Sequence, residues 1–191
     1  MPNINDEYKQ RLAKMEQLQA NTDPYPANTK RSLLVADFLS KFKDLVKSEK
    51  KVVLAGRIIS IRLQGGSCFL HFVDESGKLQ AFLRKDNLGE DKFKDFKNNF
   101  DQGDFVEFTG TAFETKTKEE SILVSDIKIL SKTLMPLPDE YYGLKDTDLR
   151  YRKRYLDLLV NPEVKKIFDL RSKIFKFIRD YFDKQGFTEV D

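Results

Sequence analysis

The sequence of 191 residues has little of several features on which whole classes of protein depend. Its one cysteine, Cys68, excludes an internal disulfide, and we therefore expect the reducing cytoplasm. Its one histidine, His71, excludes a metal site built from several histidines. The sequence has no apolar run of membrane-spanning length, no signal-peptide core and no glycine-rich Walker loop. We expect a protein with no bound metal and no membrane contact.

An excess of charge of one sign is also lacking. Lysine and arginine total 34, aspartate and glutamate total 31, and the net charge is only +3. Any binding of nucleic acid must therefore depend on a local surface rather than on an overall positive charge. Hydrophobic residues make up 40% of the chain, which is enough for a buried core in one or two domains.

Two helices are predicted at the start of the chain. Residues 3–20 carry apolar side chains at helical spacing. The prolines of "DPYP" then interrupt the helix, because they force an extended backbone. Ser32 is predicted to cap a second helix that carries an apolar stripe. The stripe consists of Leu34, Phe38, Leu39, Phe42 and Leu45.

From Lys51 the apolar period changes to two, which is typical of strands. Five strand-forming stretches follow, and a short helix rich in phenylalanine separates the third from the fourth. The stretches read "KVVLAGRIISIRL", "SCFLHFV", "KLQAFLR", "FVEFTGTAFETK" and "ESILVSDIKIL". Three strands, a helix and two strands is the order of a small closed Greek-key barrel, the oligonucleotide/oligosaccharide-binding (OB) fold. The predicted fold class is therefore α+β, with a five-stranded OB-fold barrel between helical segments.

Beyond the barrel the chain turns helical again. Asn161 and Pro162 are predicted to cap and begin a long helix that ends near Lys184, before Gly186. Its apolar arc is too wide for a free surface helix, so it needs cover on more than one side. The final "FTEVD" is predicted to begin a strand.

The predicted organisation has four parts. They are a helical extension at 1–50, the OB barrel at 51–134, a proline-bearing linker at 135–147 and a helical segment from 148 to 191. The last part begins with a basic run, which is open to two interpretations. It is either a charged helix start that packs on the rest of its domain or a patch for nucleic acid. The run consists of Arg150, Arg152, Lys153 and Arg154.

The second and third strands form a hairpin whose register decides which side chains share a face. A four-residue loop, 74–77, pairs Val73 with Lys78. One face of the hairpin is then almost purely apolar and lines the barrel, while the other presents Phe69 diagonal to Gln80. A three- or five-residue loop would separate these two side chains. The outward set is Phe69, His71, Gln80 and Phe82.

This outward face can read a nucleic-acid base. Phe69 can stack on a base, and the Gln80 amide offers a donor beside an acceptor, as uracil does. Arg62 has only donors and would require a carbonyl, which uracil has where cytosine has an amine. The alternative is that Phe69 and Phe82 pack under a loop or helix and that Gln80 is an ordinary solvated strand residue.

Several blocks together resemble class II lysyl-tRNA synthetases. They are "AGRIISIRLQGGSCFLHFVDESGKLQAFLRKDNLGEDKFKDF", "GTAFETKTKEESILVSDIKILSKTLMPLP" and "YYGLKDTDLRYRKRYLDLLVNPEV", and "RSKIFKFIRDYFDKQGFTEVD" is similar to class II motif 1. Aspartyl- and asparaginyl-tRNA synthetases carry a similar OB domain and also meet a central uridine. The segments "DPYP" and "RYRKRYLDL" favour the lysyl-tRNA synthetases over the aspartyl and asparaginyl enzymes.

The resemblance implies an anticodon reader for lysine tRNA. Phe69 matches the aromatic that stacks on the central uridine, and Gln80 and Arg62 match its polar readers. Glu119 matches an acidic residue near the first anticodon base. The family usually has Gly-Glu-Leu at this point, where this chain has Lys118, Glu119 and Glu120, so the choice between the two glutamates stays open.

The resemblance also implies the reaction of the whole enzyme. Lysine and ATP would form lysyl-adenylate with Mg²⁺ on the phosphates, and the lysyl group would pass to the 3′ end of the tRNA. Motifs 2 and 3, which supply the catalytic residues, are not among these 191 residues, so no catalytic residue and no bound cofactor is expected here. Homodimerisation through the motif 1 region is implied as well. The alternative from another class is an OB protein that binds single strands without reading them.

Overall fold

Five strands close into a barrel, as the strand pattern predicts. They are β1 (Val52–Gln64), β2 (Ser67–Val73), β3 (Lys78–Arg84), β4 (Phe105–Glu114) and β5 (Glu120–Ser131). Their order around the barrel is β1-β2-β3-β5-β4, in which β3 and β5 run parallel and the other neighbours antiparallel. The predicted OB-fold barrel is confirmed.

The computed structural model describes residues 4–137, 144 and 146–190. It divides the chain into two compact units, 1–136 and 137–191. Most of the linker predicted at 135–147 lies outside the described residues. The finer division into four parts stays a prediction.

The first unit holds the barrel and five helices within its described residues. They are α1 (Ile4–Asn21), α2 (Val35–Ser40), α3 (Phe42–Ser48), α4 (Lys85–Leu88) and α5 (Glu90–Asn99). The helix predicted between the third and fourth strands is α5, which buries Phe93 and Phe96. The second predicted helix is interrupted at Lys41, which divides it into α2 and α3.

The hairpin register is the one that the sequence predicts. Val73 lies opposite Lys78 and Phe69 opposite Phe82, across a loop of four residues. The inward side chains are fully or almost fully buried; they are Cys68, Leu70, Phe72, Leu79, Ala81 and Leu83. Burial raises the pKa of the Cys68 thiol to about 11, so the thiol stays protonated at neutral pH and packs as a core side chain.

The prediction that Ser32 caps the second helix is wrong. Its hydroxyl accepts from the Val53 backbone N–H at 2.9 Å. The first backbone N–H groups of α2 are instead satisfied from the hairpin loop. Asp74 Oδ2 accepts from Val35 N at 2.8 Å, and Ser76 Oγ accepts from Ala36 N at 2.9 Å. The hairpin loop therefore caps the helix and fixes its start on the barrel.

Replacing Asp74 with alanine should destabilise the barrel unit by about 1–2 kcal/mol, the range for a lost helix cap. Burial alone would raise the pKa of Asp74, but hydrogen bonds from Ser76, Val35 and Gly77 outweigh it and hold the pKa below its ordinary value. A carboxyl group whose pKa is lower in the folded protein than in the unfolded protein stabilises the fold at pH values above its unfolded pKa. This stabilisation is lost as the pH falls through the folded pKa. Urea unfolding should therefore show a larger difference in stability between the wild-type and Asp74→Ala chains at pH 7 than at about pH 3. Asp86→Ala, at an exposed aspartate, is the control; equal behaviour of both variants would contradict the capping role.

A buried lysine joins the end of β5 to the turn before β4. Lys132 Nζ donates to Asn99 O at 2.8 Å, to Asp101 Oδ2 at 2.5 Å and to Asp104 Oδ2 at 2.8 Å. Lys14 of α1 donates to the other oxygen of Asp101 at 2.6 Å. Burial opposes ionisation of Asp101, yet these two lysines hold its pKa below the ordinary value. The cluster therefore fastens α1 to the barrel.

The second unit contains α6 (Thr147–Arg152), α7 (Arg154–Val160) and α8 (Pro162–Lys184). Asp157 is fully buried and accepts from Arg150 at 2.8 Å, from Arg154 and from the Asn161 amide at 2.6 Å. Asn161 occupies the N-cap position of α8, as predicted, but its side chain donates to Asp157 and makes no capping hydrogen bond to the helix. Pro162 does begin α8, as predicted.

The helix α8 exposes a broad apolar surface within its described residues. Eight of its large side chains are 43% to 70% exposed: Ile167, Leu170, Ile174, Phe175, Phe177, Ile178, Tyr181 and Phe182. Gly186, with a φ of +83°, follows the helix end as predicted. The predicted strand after it is wrong for residues 187–190, which contain no strand. Phe187 folds back instead, with its ring centre 5.5 Å from that of Phe182. Asp191 lies outside the described residues.

Candidate nucleic-acid interface

Three phenylalanine rings form a stack on the outer face of the barrel. The Phe69 and Phe82 ring centres are 4.3 Å apart with planes 12° apart, and Phe113 of β4 continues the stack at 5.7 Å and 21°. All three side chains are half-buried. One face of Phe69 is covered by Phe82, so the ring is held upright and its other face can receive a flat partner.

Gln80 stands beside this stack with both ends of its amide engaged. Its Nε2 donates to Glu119 Oε2 at 2.8 Å, and its Oε1 accepts from Ser121 Oγ at 2.9 Å. Gln80 is 8% exposed and Ser121 fully buried. The amide is therefore held in place, unlike the solvated side chain of the alternative interpretation.

Glu119 belongs to the loop between β4 and β5 and reaches back over the hairpin. Its Oε1 lies 3.2 Å from His71 Nε2, while its Oε2 receives the Gln80 amide. Thr115 fixes the loop by accepting from Glu119 N at 2.9 Å. Glu120 begins β5 opposite Glu114 and is exposed. Of the two candidate glutamates, Glu119 is therefore the one that contacts Gln80.

Arg62 flanks Phe69 on the neighbouring strand. It lies directly opposite Phe69 in the β1–β2 pairing and is exposed. Within the described part of the chain its side chain takes part in no ion pair, so the guanidinium is available to a ligand. The structure brings Arg62, Phe69, Gln80 and Glu119 to one groove of about 520 Å³. Further lining residues are Gln64, Phe82, Arg84, Phe113, Thr115, Lys116 and Thr117.

Sequence reasoning missed the buried Ser121, which donates to Gln80, and most of the groove's lining, including Phe113. Ser121 lies opposite Gln80 in the parallel β3–β5 pairing and opposite Phe113 in the β4–β5 pairing. The pairing of β3 with β5 joins strands that are distant in the sequence, so no local pattern predicts the contact of Ser121 with Gln80. The period-two alternation of β4 was the available signal for Phe113, because it places that side chain on the outer face.

The groove has the chemistry of a base-binding site. The aromatic stack supplies a flat apolar surface, and the amide and carboxylate supply polar groups at its edge. Arg62, Arg84 and Lys116 supply positive charge suited to phosphates. Phe69 and Phe82 line an open groove together with residues of the β4–β5 loop, which favours the base-binding interpretation over one in which both rings only pack beneath that loop.

The basic run of the second unit is largely engaged in ion pairs. Arg150 and Arg154 both contact the buried Asp157, and Arg152 pairs with Asp148 at 2.6 Å. These contacts favour the interpretation in which the run begins a packed helical segment.

The described residues offer neither of two other kinds of feature. They contain no helix with the length and apolarity to span a membrane. They also contain no group of three or more histidine, cysteine, aspartate or glutamate side chains that could hold a metal ion.

Comparison with known proteins agrees with the resemblance seen in the sequence. The family model of the OB-fold nucleic acid binding domain matches residues 52–130, and that of the class II tRNA synthetases (D, K and N) matches residues 146–191.

Curated lysine–tRNA ligases are similar over nearly the whole chain. The ligase of Bacillus subtilis (strain 168) is 41% identical over 194 residues, covering 98% of this chain and 39% of the ligase. That of Roseiflexus sp. (strain RS-1) is 40% identical over 190 residues, with the same coverage. That of Clostridium perfringens (strain ATCC 13124) is 44% identical over 184 residues, covering 96% of this chain and 36% of the ligase. The chain spans about two fifths of the length of these relatives.

Proposed function

We propose that the chain reads the anticodon of lysine tRNA, because residues 52–130 match the OB-fold nucleic acid binding domain and residues 146–191 match the class II tRNA synthetases (D, K and N). The observation that carries the proposal is the groove in which a three-ring aromatic stack meets the fixed amide of Gln80. Similarity to lysine–tRNA ligases supports lysine as the amino acid.

Each groove residue has a proposed role at the anticodon. The free face of Phe69 stacks on the central uridine. Gln80 has one N–H and one carbonyl lone pair left for the base edge, because the other two are bound by Glu119 and Ser121. Arg62 donates to a base carbonyl. Glu119, rather than Glu120, contacts the first anticodon base, since it faces the groove.

The remaining proposals concern the whole enzyme. It would activate lysine with ATP and Mg²⁺, transfer it to tRNA, act in the cytoplasm and dimerise through the motif 1 region. The exposed apolar side chains of α8 support such an interface.

A non-reading OB protein is the second candidate, and a test must separate it from an anticodon reader. A generic single-strand binder needs stacking and positive charge, whereas a reader also needs fixed polar groups at the base edge. The test is titration with anticodon stem-loops that differ only in the central base. A reader prefers uridine over cytidine, and a generic binder does not.

A further inference from the structure

The two ends of the Gln80 amide face groups of different character. The Nε2 end meets the Glu119 carboxylate at 2.8 Å, and the Oε1 end meets the Ser121 hydroxyl at 2.9 Å. A carboxylate only accepts hydrogen bonds, so it must face the amine end of the amide. A rotation of the amide by 180° would set its carbonyl oxygen against the carboxylate. Glu119 thus determines which end of Gln80 points to which side of the groove.

Glu119 is itself held by a second contact. Its Oε1 lies 3.2 Å from His71 Nε2, and His71 Nδ1 lies 3.1 Å from Ser60 Oγ. One carboxylate oxygen therefore faces His71 and the other faces Gln80, which leaves the carboxylate little freedom to turn. His71 is not among the residues that line the groove, and it contacts Glu119, which is.

We propose that Glu119, positioned by His71, locks the amide of Gln80 in one orientation and thereby sets the discrimination between uracil and cytosine. The inference rests on the proposed function and adds the means of selectivity. Uracil presents an N–H beside a carbonyl, and cytosine presents a ring nitrogen beside an amine. A freely rotating amide would match either base by turning over, whereas a locked amide matches only one. His71 and Glu119 are in this respect positioning residues.

The test is Glu119→Gln, which keeps the shape of the side chain and removes its acceptor-only character. A glutamine at 119 can present either end to Gln80 and so permits both orientations. We expect the ratio of affinities for central-uridine and central-cytidine stem-loops to fall about tenfold. The charge-assisted hydrogen bond to Glu119 is what favours one orientation of the Gln80 amide, and the variant loses it. Arg62 still favours a carbonyl, so some discrimination remains.

Glu120→Gln is the matched control. It makes the same change of charge one residue away, on an exposed side chain, and should leave the ratio unchanged. Loss of a negative charge raises the affinity of both variants for any RNA. The ratio of the affinities for the uridine and cytidine stem-loops is not changed by that effect. His71→Leu should lower the ratio, and His71→Gln, which restores a donor to Glu119, should return it towards the wild-type value.

The outcomes separate the lock from the function on which it rests. If the wild-type chain prefers uridine and Glu119→Gln keeps the full preference, the lock is wrong and the anticodon reader stands. If the wild-type chain shows no preference, both are wrong. If Glu119→Gln binds neither stem-loop, the His71 pair decides: an unchanged ratio in His71→Leu overturns the proposal.

Discussion

Replacing Phe69 with alanine is expected to weaken binding of a lysine anticodon stem-loop by about 1–3 kcal/mol, the range for loss of one base–aromatic stack. The reason is the geometry of the ring, which stacks on Phe82 at 4.3 Å and lines the groove. Titration of wild-type and variant chains at one fixed salt concentration measures the difference.

Two further variants make the Phe69 result specific. Phe69→Tyr keeps a ring and should retain most of the affinity. Phe105→Ala removes a comparably exposed ring elsewhere on the barrel, where it packs against Arg57, and should leave binding unchanged. Equal affinity of the wild-type and Phe69→Ala chains would show that the base does not stack on this ring.

Replacing Lys132 with methionine is expected to lower the free energy of unfolding of the barrel unit by about 3–5 kcal/mol, the cost of removing one partner from a buried ion pair. The side chains of Lys132 and Asp104 are both fully buried, so the variant leaves a carboxylate without its cation in the interior. The contact of Lys132 with Asp101 is lost as well. Because the chain has no tryptophan, urea unfolding is best followed by circular dichroism.

The control for the Lys132 variant is the same substitution at an exposed lysine of the preceding strand. Lys128→Met removes an exposed lysine of β5 and should change the stability by less than about 0.5 kcal/mol. Adding Asp104→Asn to Lys132→Met should recover part of the loss, because the unpaired charge is gone. A loss no larger than that of Lys128→Met would mean that the buried cluster does not fasten the barrel.

The hairpin could be predicted from the sequence because its determinants are local. Its period of two and its loop length together fix the register, and the buried Leu70 and Phe72 allow only one face to point inward. The helix between β3 and β4 followed from its spaced phenylalanines. The proposed site residues Arg62, Phe69 and Gln80 could be singled out from the sequence because they lie on or beside this hairpin.

The features that sequence analysis missed depend on partners distant in the chain. The predicted cap at Ser32 was wrong because Asp74 and Ser76, about 40 residues later, accept hydrogen bonds from the first backbone N–H groups of α2. The burial of Gln80 depends on Glu119, which lies 39 residues away in a loop that folds back over the hairpin. No periodicity encodes such contacts, since they arise only when the barrel closes.

The central claim is that the outer groove of the barrel reads a uridine at the middle of the anticodon. The most direct test is to titrate the unmodified chain with two stem-loops of one sequence, with UUU or UCU in the anticodon, under identical salt. The donor and acceptor that uracil presents to Gln80 are exchanged in cytosine, so two hydrogen bonds of a fixed amide would be lost. We therefore expect the UUU stem-loop to bind at least tenfold more tightly. Equal affinities for the two stem-loops would contradict the claim.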